Sequence, residues 1–231
     1  MPPSKANLSK PKVGGSGDVA KRIVQAVATV KKNDARLRKV GIVVNTKKIL
    51  GSPGSFGVAF EVTAQGRRCA FKVTTDWTEA HTSFGIIGKR LSRVVSIYAV
   101  FRFKDTVVYG ILQELLQPLS DDEAERFDDL TNMLRVGRVG VAMLAGNVAA
   151  VKAGVLKALR RDDAREDFIE LFDRFDFGGI LEELHKNGID FLDFHSGNLM
   201  KRGSTYVVID LGMSQNSAAA GVPPVLEWKS R

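Results

Sequence analysis

Only one cysteine, Cys69, occurs in the 231 residues. An intrachain disulfide is therefore impossible, and so is a metal site built from several thiolates of one chain. No apolar run approaches the ~18–20 residues that span a bilayer. Met1 to Lys12, rich in Pro, Ser and Lys, has no apolar core of a secretory signal. The expectation is a cytoplasmic protein without a membrane partner. Acidic residues are scarce in one half only. Residues 1–117 carry 20 Lys/Arg against 7 Asp/Glu (+13), whereas 118–231 carry 14 against 19 (−5). A basic half can attract nucleic acid or collect an anionic nucleotide. It contains no arginine-rich block with interleaved aromatics, so a solvated basic face is the simpler reading and direct nucleic-acid binding is not expected. The length allows one compact domain or two small lobes sharing a cleft.

Residues 1–17 read as a disordered basic arm, too rich in Pro, Gly, Ser and Lys to bury a core. Asp18 is placed to cap a helix running to about Arg38, with Val19, Ile23, Ala26, Val27 and Val30 on one face. Strands are expected over 40–50, over the run following Gly57, over Arg68–Thr74, and in a hairpin of 94–103 and 106–116 turning at Lys104-Asp105. A helix is expected over 77–91. Together these give a five-stranded antiparallel sheet with one inserted helix, over 18–117. Ser120-Asp121-Asp122-Glu123 is a capping box that opens a helical half over 118–214, with helices expected at 121–135, 139–160 and 163–187, the last interrupted at Gly178-Gly179. Residues 215–231 are expected as a loose tail. The fold class is α+β.

Four features carry chemistry. Gly51, Gly54 and Gly57, with Ser55 and Phe56 between them, form a turn whose backbone N–H groups can approach phosphates without obstruction by Cβ. A plain glycine hairpin is the alternative. Lys72 sits inside the apolar run Ala70-Phe71-Lys72-Val73, where an ammonium needs an anionic partner, either a carboxylate or a phosphate. Glu79 is the only carboxylate of the 77–91 helix and the natural candidate, although a carboxylate in a first helical turn is also favoured by the dipole alone. The fourth feature is the stretch from Gly188 to Ser214. It places Asp193 five residues before Asn198, and then Asp210-Leu211-Gly212 directly after the apolar run Val207-Val208-Ile209. One carboxylate could take the proton of an attacking hydroxyl while an amide and a second carboxylate hold magnesium on nucleotide phosphates.

The order glycine turn, strand lysine, helix glutamate, connector, helices, D-x4-N and a strand ending in D-L-G resembles the protein-kinase-like superfamily over roughly residues 48–214. The form Asp193-Phe194-His195-Ser196-Gly197-Asn198 is similar to the D-x-H-x-G-N loop of aminoglycoside- and choline-type phosphotransferases. It is closer still to the loop of the early-gene serine/threonine kinases of lytic podophages. The resemblance implies a two-lobe fold with a minimal helical second lobe, and ATP and Mg2+ as cofactors. Asp193 would be the catalytic carboxylate, and Lys72 and His195 would contact phosphate. Glu79 would fix Lys72, and Gly51, Gly54, Ser55, Phe56 and Gly57 would cover the phosphates. Backbone groups of Glu114 and Leu116 would bind the adenine edge, with Asn198 and Asp210 as metal ligands.

Two departures from the pattern matter. Phe191-Leu192-Asp193 stands where the common kinases have H-R-D, so no arginine is present there to clamp a phosphorylated activation loop. The glycine turn has one residue more than G-x-G-x-x-G, at Pro53. With 19 residues after Gly212, the helices at 121–187 are expected to supply the whole second lobe. The activity implied is transfer of the γ-phosphoryl group of ATP to Ser/Thr of proteins by a phage-encoded enzyme, in the cytoplasm of a bacterial host. Host transcription or translation proteins are the implied partners. The alternatives are an aminoglycoside-type phosphotransferase, whose cationic substrate would suit the acidic segments 121–129 and 162–176, and a catalytically silent nucleotide-binding protein of the same fold.

Overall fold

Alternation of side chains along the strands decides which residues face which layer. In the computed structural model, which describes residues 16–51, 56–212 and 220–226, strands β1 (Ile42–Leu50), β2 (Gly57–Ala64), β3 (Arg67–Thr74), β4 (Ile97–Phe103) and β5 (Tyr109–Glu114) pair antiparallel in the order β1-β2-β3-β5-β4. The two-residue turn Gln65-Gly66 joins β2 to β3 with both residues at positive φ (49° and 78°), which matches the right-handed twist of the flanking strands. Val58, Phe60 and Val62 of β2 line one face of this sheet with Cys69, Phe71 and Val73 of β3. Helix α1 (Ser16–Lys39) covers that face with Ala26, Val30 and Leu37. Phe60, Phe71 and Phe103 are completely buried there, each worth about 1.5–3 kcal/mol relative to exposure. Ile97, Val100 and Ile111 line the opposite face, against Ala80 of helix α2 (Trp77–Gly85). Lys72 lies between Phe71 and Val73, so alternation sends it to this second face.

The helical half comprises α3 (Asp121–Gly137), α4 (Gly140–Leu144), α5 (Val148–Ala158), α6 (Asp162–Arg174) and α7 (Phe177–Lys186). The capping box forms as the sequence suggests: Glu123 N donates to Ser120 Oγ at 3.2 Å and Ser120 N donates to Glu123 Oε2 at 2.9 Å. Phe127, Phe168, Phe172, Phe175 and Phe177 are fully buried among these helices, and their core is continuous with the second face of the sheet.

Several boundaries differ from expectation, each for a local reason. The helix expected over 77–91 stops at Gly85, where Ile86 N turns to Ser83 O and Gly88 follows at φ 78°. The single helix expected over 139–160 is two. Gly146 adopts φ 61° between them, and Asn147 caps the second by accepting from Ala150 N at 3.0 Å. The break in 163–187 falls at Asp176, with φ 48°, and Gly178-Gly179 lie inside α7.

After α7 the chain forms a 3₁₀ turn at Ser196–Asn198, then strands β7 (Leu199–Arg202) and β8 (Thr205–Val208), which join β6 (Gln117–Pro118) in a three-stranded sheet. Pro118 lies in an edge strand, where its missing N–H costs no ladder bond. Residues 220–226 are not a loose tail. Gly221 N donates to His81 O, Arg102 N to Pro224 O, and β9 (Val225–Leu226) adds a parallel sixth strand to the first sheet beside β4. The arm expected over 1–17 lies outside the described residues up to position 15, and the helix expected from Asp18 begins at Ser16.

Candidate functional site

Lys72 is on a central strand, paired to Ala59 on one side and Ile111 on the other, so it cannot reach solvent over an edge. Its Nζ lies 2.7 Å from Glu79 Oε1 and 2.7 Å from Asp210 Oδ2. Gly57 stands across the ladder from Thr74, and a Cβ there would come 3.0 Å from Lys72 Cε and 2.9 Å from Val73 O. Glycine is thus favoured at 57 by close approach of the Val73 carbonyl, with the lysine stem beside it. Burial works against the Lys72 charge, but Glu79 and Asp210 outweigh it and raise its pKa. Burial also acts on Glu79, whose side chain is 2% exposed. Opposed by Lys72 and reinforced by the Asp210 charge, it pushes the Glu79 carboxyl up to about 8. One cation cannot fully compensate two carboxylates, and the more buried of the two gives way. Glu79 Oε2 is buried without a hydrogen-bond partner.

Asp210 arrives at this cluster at the end of the run Val207-Val208-Ile209 with φ 53°. A non-glycine residue in that region costs about 1–3 kcal/mol and persists only where its surroundings impose it. The imposing contacts are Ile209 N donating to Asn198 O at 2.9 Å behind it and Lys72 in front.

The loop bearing Asp193 is built on aromatic anchors. Phe194 packs edge-to-face on Phe177 and Phe191, with ring centroids 4.8 Å apart in both cases. This turns Asp193 outward, with its side chain 53% exposed. Asn198 is buried, and its Nδ2 donates to Asp193 O at 2.9 Å and to Asp193 Oδ2 at 3.3 Å. That orientation leaves the amide oxygen of Asn198 for another partner. His195 Nδ1 accepts from Gly197 N at 3.1 Å, so the neutral ring carries its proton on Nε2, 3.8 Å from Asp193 Oδ2. Among the described residues no group of three or more His, Cys, Asp or Glu could hold a metal ion.

Other expected positions are placed differently or not at all. Ser52, Pro53, Gly54 and Ser55 lie outside the described residues; Gly51 and Phe56 flank them, and the Phe56 ring is half exposed. Glu114 N donates to Ser96 O at 2.9 Å, so that N–H is engaged by the segment before β4. Leu116 is half-buried and packs against the helical core.

Three polar residues central to this region were missed in the sequence. Asp128 of α3 accepts from Ser196 N at 2.8 Å and Ser196 Oγ at 2.9 Å, holding the Asp193–Asn198 loop from below. Arg202 of β7 forks onto Glu114, with Nε 2.7 Å from Oε1. It also donates to the carbonyls of Leu91, Ser92 and Val94, tying β7 to the segment before β4. Burial works against the Glu114 charge, but this guanidinium holds its carboxyl below the usual range. Asp76 caps α2, accepting from Thr78 N at 2.8 Å and Glu79 N at 3.3 Å. An aspartate directly before a helix was the one available signal for this last residue.

A scan against protein-family models finds no match for this chain, and a search of the curated proteins likewise finds none.

Proposed function

We propose that the protein is a kinase-type phosphotransferase, moving the γ-phosphoryl group of ATP to the hydroxyl of Ser or Thr in a protein. The observation that carries this reading is the convergence of Lys72 of β3, Glu79 of α2 and the sequence-distant Asp210 after β8, beside a loop in which Asn198 orients Asp193. A structural ion pair needs one carboxylate for one lysine. A second, partly exposed carboxylate on the same ammonium suits a lysine that exchanges partners when phosphates arrive.

In this reading Lys72 holds the phosphates of ATP and Glu79 keeps its stem in place. Asp193 accepts the proton of the acceptor hydroxyl as that oxygen bonds to the γ-phosphorus and the bond from the phosphorus to the bridging β–γ oxygen breaks, releasing ADP. The donor set fits magnesium. The amide oxygen of Asn198 and the Asp210 oxygen not facing Lys72 would supply two protein ligands, and magnesium sites of this kind take one or two, with phosphates and water completing the shell. Bound there, the ion would offset charge on the phosphate oxygens. In the same reading His195, with a proton on the Nε2 that lies 3.8 Å from Asp193 Oδ2, steadies Asp193 or donates to phosphate.

The acidic segments give the aminoglycoside alternative little support, because many of their carboxylates are already paired. Asp122 faces Arg126 and Arg174, Asp162 faces Arg165, Asp163 faces Arg161, and Asp173 faces Lys152. The likeness of the Asp193 loop to podophage kinases makes bacterial proteins the acceptors to test. Incubation with γ-labelled ATP, magnesium and a bacterial extract should label proteins. Label appearing on added aminoglycosides and on no protein would move the assignment to the small-molecule class.

A further inference from the structure

Thr74 at the end of β3, with Thr75 and Asp76 before α2, contacts Phe56, the first turn of α2 and Gly212. Phe56 O, at the exit of the glycine turn, accepts from Thr75 N at 3.0 Å, Thr75 Oγ1 at 3.3 Å and Thr74 Oγ1 at 3.4 Å. Thr74 Oγ1 in turn accepts from Asp76 N at 3.0 Å. Asp76 uses one carboxylate oxygen, Oδ1, for α2, accepting from Thr78 N, Thr78 Oγ1 (2.6 Å) and Glu79 N. Its other oxygen, Oδ2, lies against Gly212. A Cβ at 212 would meet Oδ2 more closely than real Cβ contacts allow, and would come 3.4 Å from Glu79 Cβ. No positive φ is recorded at Gly212, so the need for glycine there is one of space.

We propose that Thr74-Thr75-Asp76 is a junction that sets Phe56, α2 and the Asp210–Gly212 turn relative to one another, with Asp76 as its positioning residue. The proposal rests on the phosphotransferase reading above. Asp76 reaches Glu79 through the helix cap and Asp210 through Gly212. The two carboxylates that share Lys72 therefore both adjoin residues that this one side chain touches, in addition to the Asn198 and Lys72 contacts that hold Asp210. Displacing Asp76 moves Glu79 and Asp210 together, whereas loss of an ordinary cap would loosen only the first turn of α2.

The test is a cycle of Asp76→Ala, Gly212→Ala and the double variant, with Asp76→Asn as the conservative control, read by urea denaturation and by steady-state phosphoryl transfer from magnesium–ATP. Gly212→Ala should lower the unfolding midpoint through its collision with Oδ2. The double variant should then unfold at a higher midpoint than the two single shifts predict. In kinetics, Asp76→Ala and Gly212→Ala should reduce kcat by about tenfold to a hundredfold, the scale of a misaligned reacting group, with KM for ATP changed far less. Asp76→Asn, which keeps a cap acceptor, should recover most of kcat. Additive midpoints overturn the junction whatever the enzyme does. Coupled midpoints with a kcat that Asp76→Asn does not rescue reduce it to a structural contact and overturn the positioning role. Absence of transfer by the unmodified protein overturns the proposed function instead, and the junction is then judged by the denaturation cycle alone.

Discussion

At the scale of single residues, Glu79 ties site chemistry to stability. Its carboxyl rises from an ordinary 4.5 to about 8 on folding, chiefly because burial disfavours the anion. A raised folded-state pKa means the folded form holds the proton more tightly than the unfolded form. The associated stability is fully present below pH 4.5 and is lost as pH rises through about 8. Urea denaturation at intervals from pH 5 to pH 9 should therefore show stability falling across this range. Glu79→Gln, which cannot ionise, should flatten the fall, and an unchanged slope in that variant would assign the pH dependence elsewhere. Lys72 and Asp210 were legible in the sequence because each interrupts or ends an apolar run, which makes a charge conspicuous. Asp128, Arg202 and Asp76 sit among polar neighbours. For Asp128 and Arg202 the partner is 68 residues away at Ser196 and 88 at Glu114, a separation that no local periodicity encodes.

At the scale of elements, the β7–β8 hairpin is pinned by Arg202, whose guanidinium meets Glu114 in a fork while donating to three backbone carbonyls. Removing it leaves a partly buried carboxylate without its cation. Arg202→Ala should cost about 2 kcal/mol in denaturation experiments, the scale of hydrogen bonds to a charged group. Arg202→Lys should recover less than half of that, because an ammonium cannot fork. Full recovery by lysine would show that charge alone matters. The existence of most elements was readable from alternation and from the capping box, but several helix boundaries were not. The α6–α7 break comes from a left-handed Asp176, which does not stand out beside Asp162, Asp163, Asp167 and Asp173 of the preceding helix. The glycines that suggested a break at 178–179 serve packing: a Cβ on Gly179 would lie 2.7 Å from Asp176 Oδ1 and against the Arg93 guanidinium. The strand Val225–Leu226 was missed because two residues carry no periodic signal.

At the scale of the whole molecule, opposing titrations set a stability optimum. Glu123 receives Lys201 at 2.9 Å as well as the N-cap groups of Ser120, and its carboxyl is held down to about 2. That contribution is present above pH 4.5 and is lost as pH falls toward about 2. Glu79 acts in the opposite direction above 4.5. The urea midpoint should be highest on the acid side of neutrality, and a maximum above pH 8 would contradict the balance. The central claim concerns chemistry at Asp193, and it is tested most directly by the rate of γ-phosphoryl transfer from magnesium–ATP in the unmodified protein and in Asp193→Asn. The substitution should cut the rate by about two to four orders of magnitude, the contribution of a positioned base, while magnesium–ATP still raises the unfolding temperature of both proteins. Equal rates in the two proteins would contradict the account.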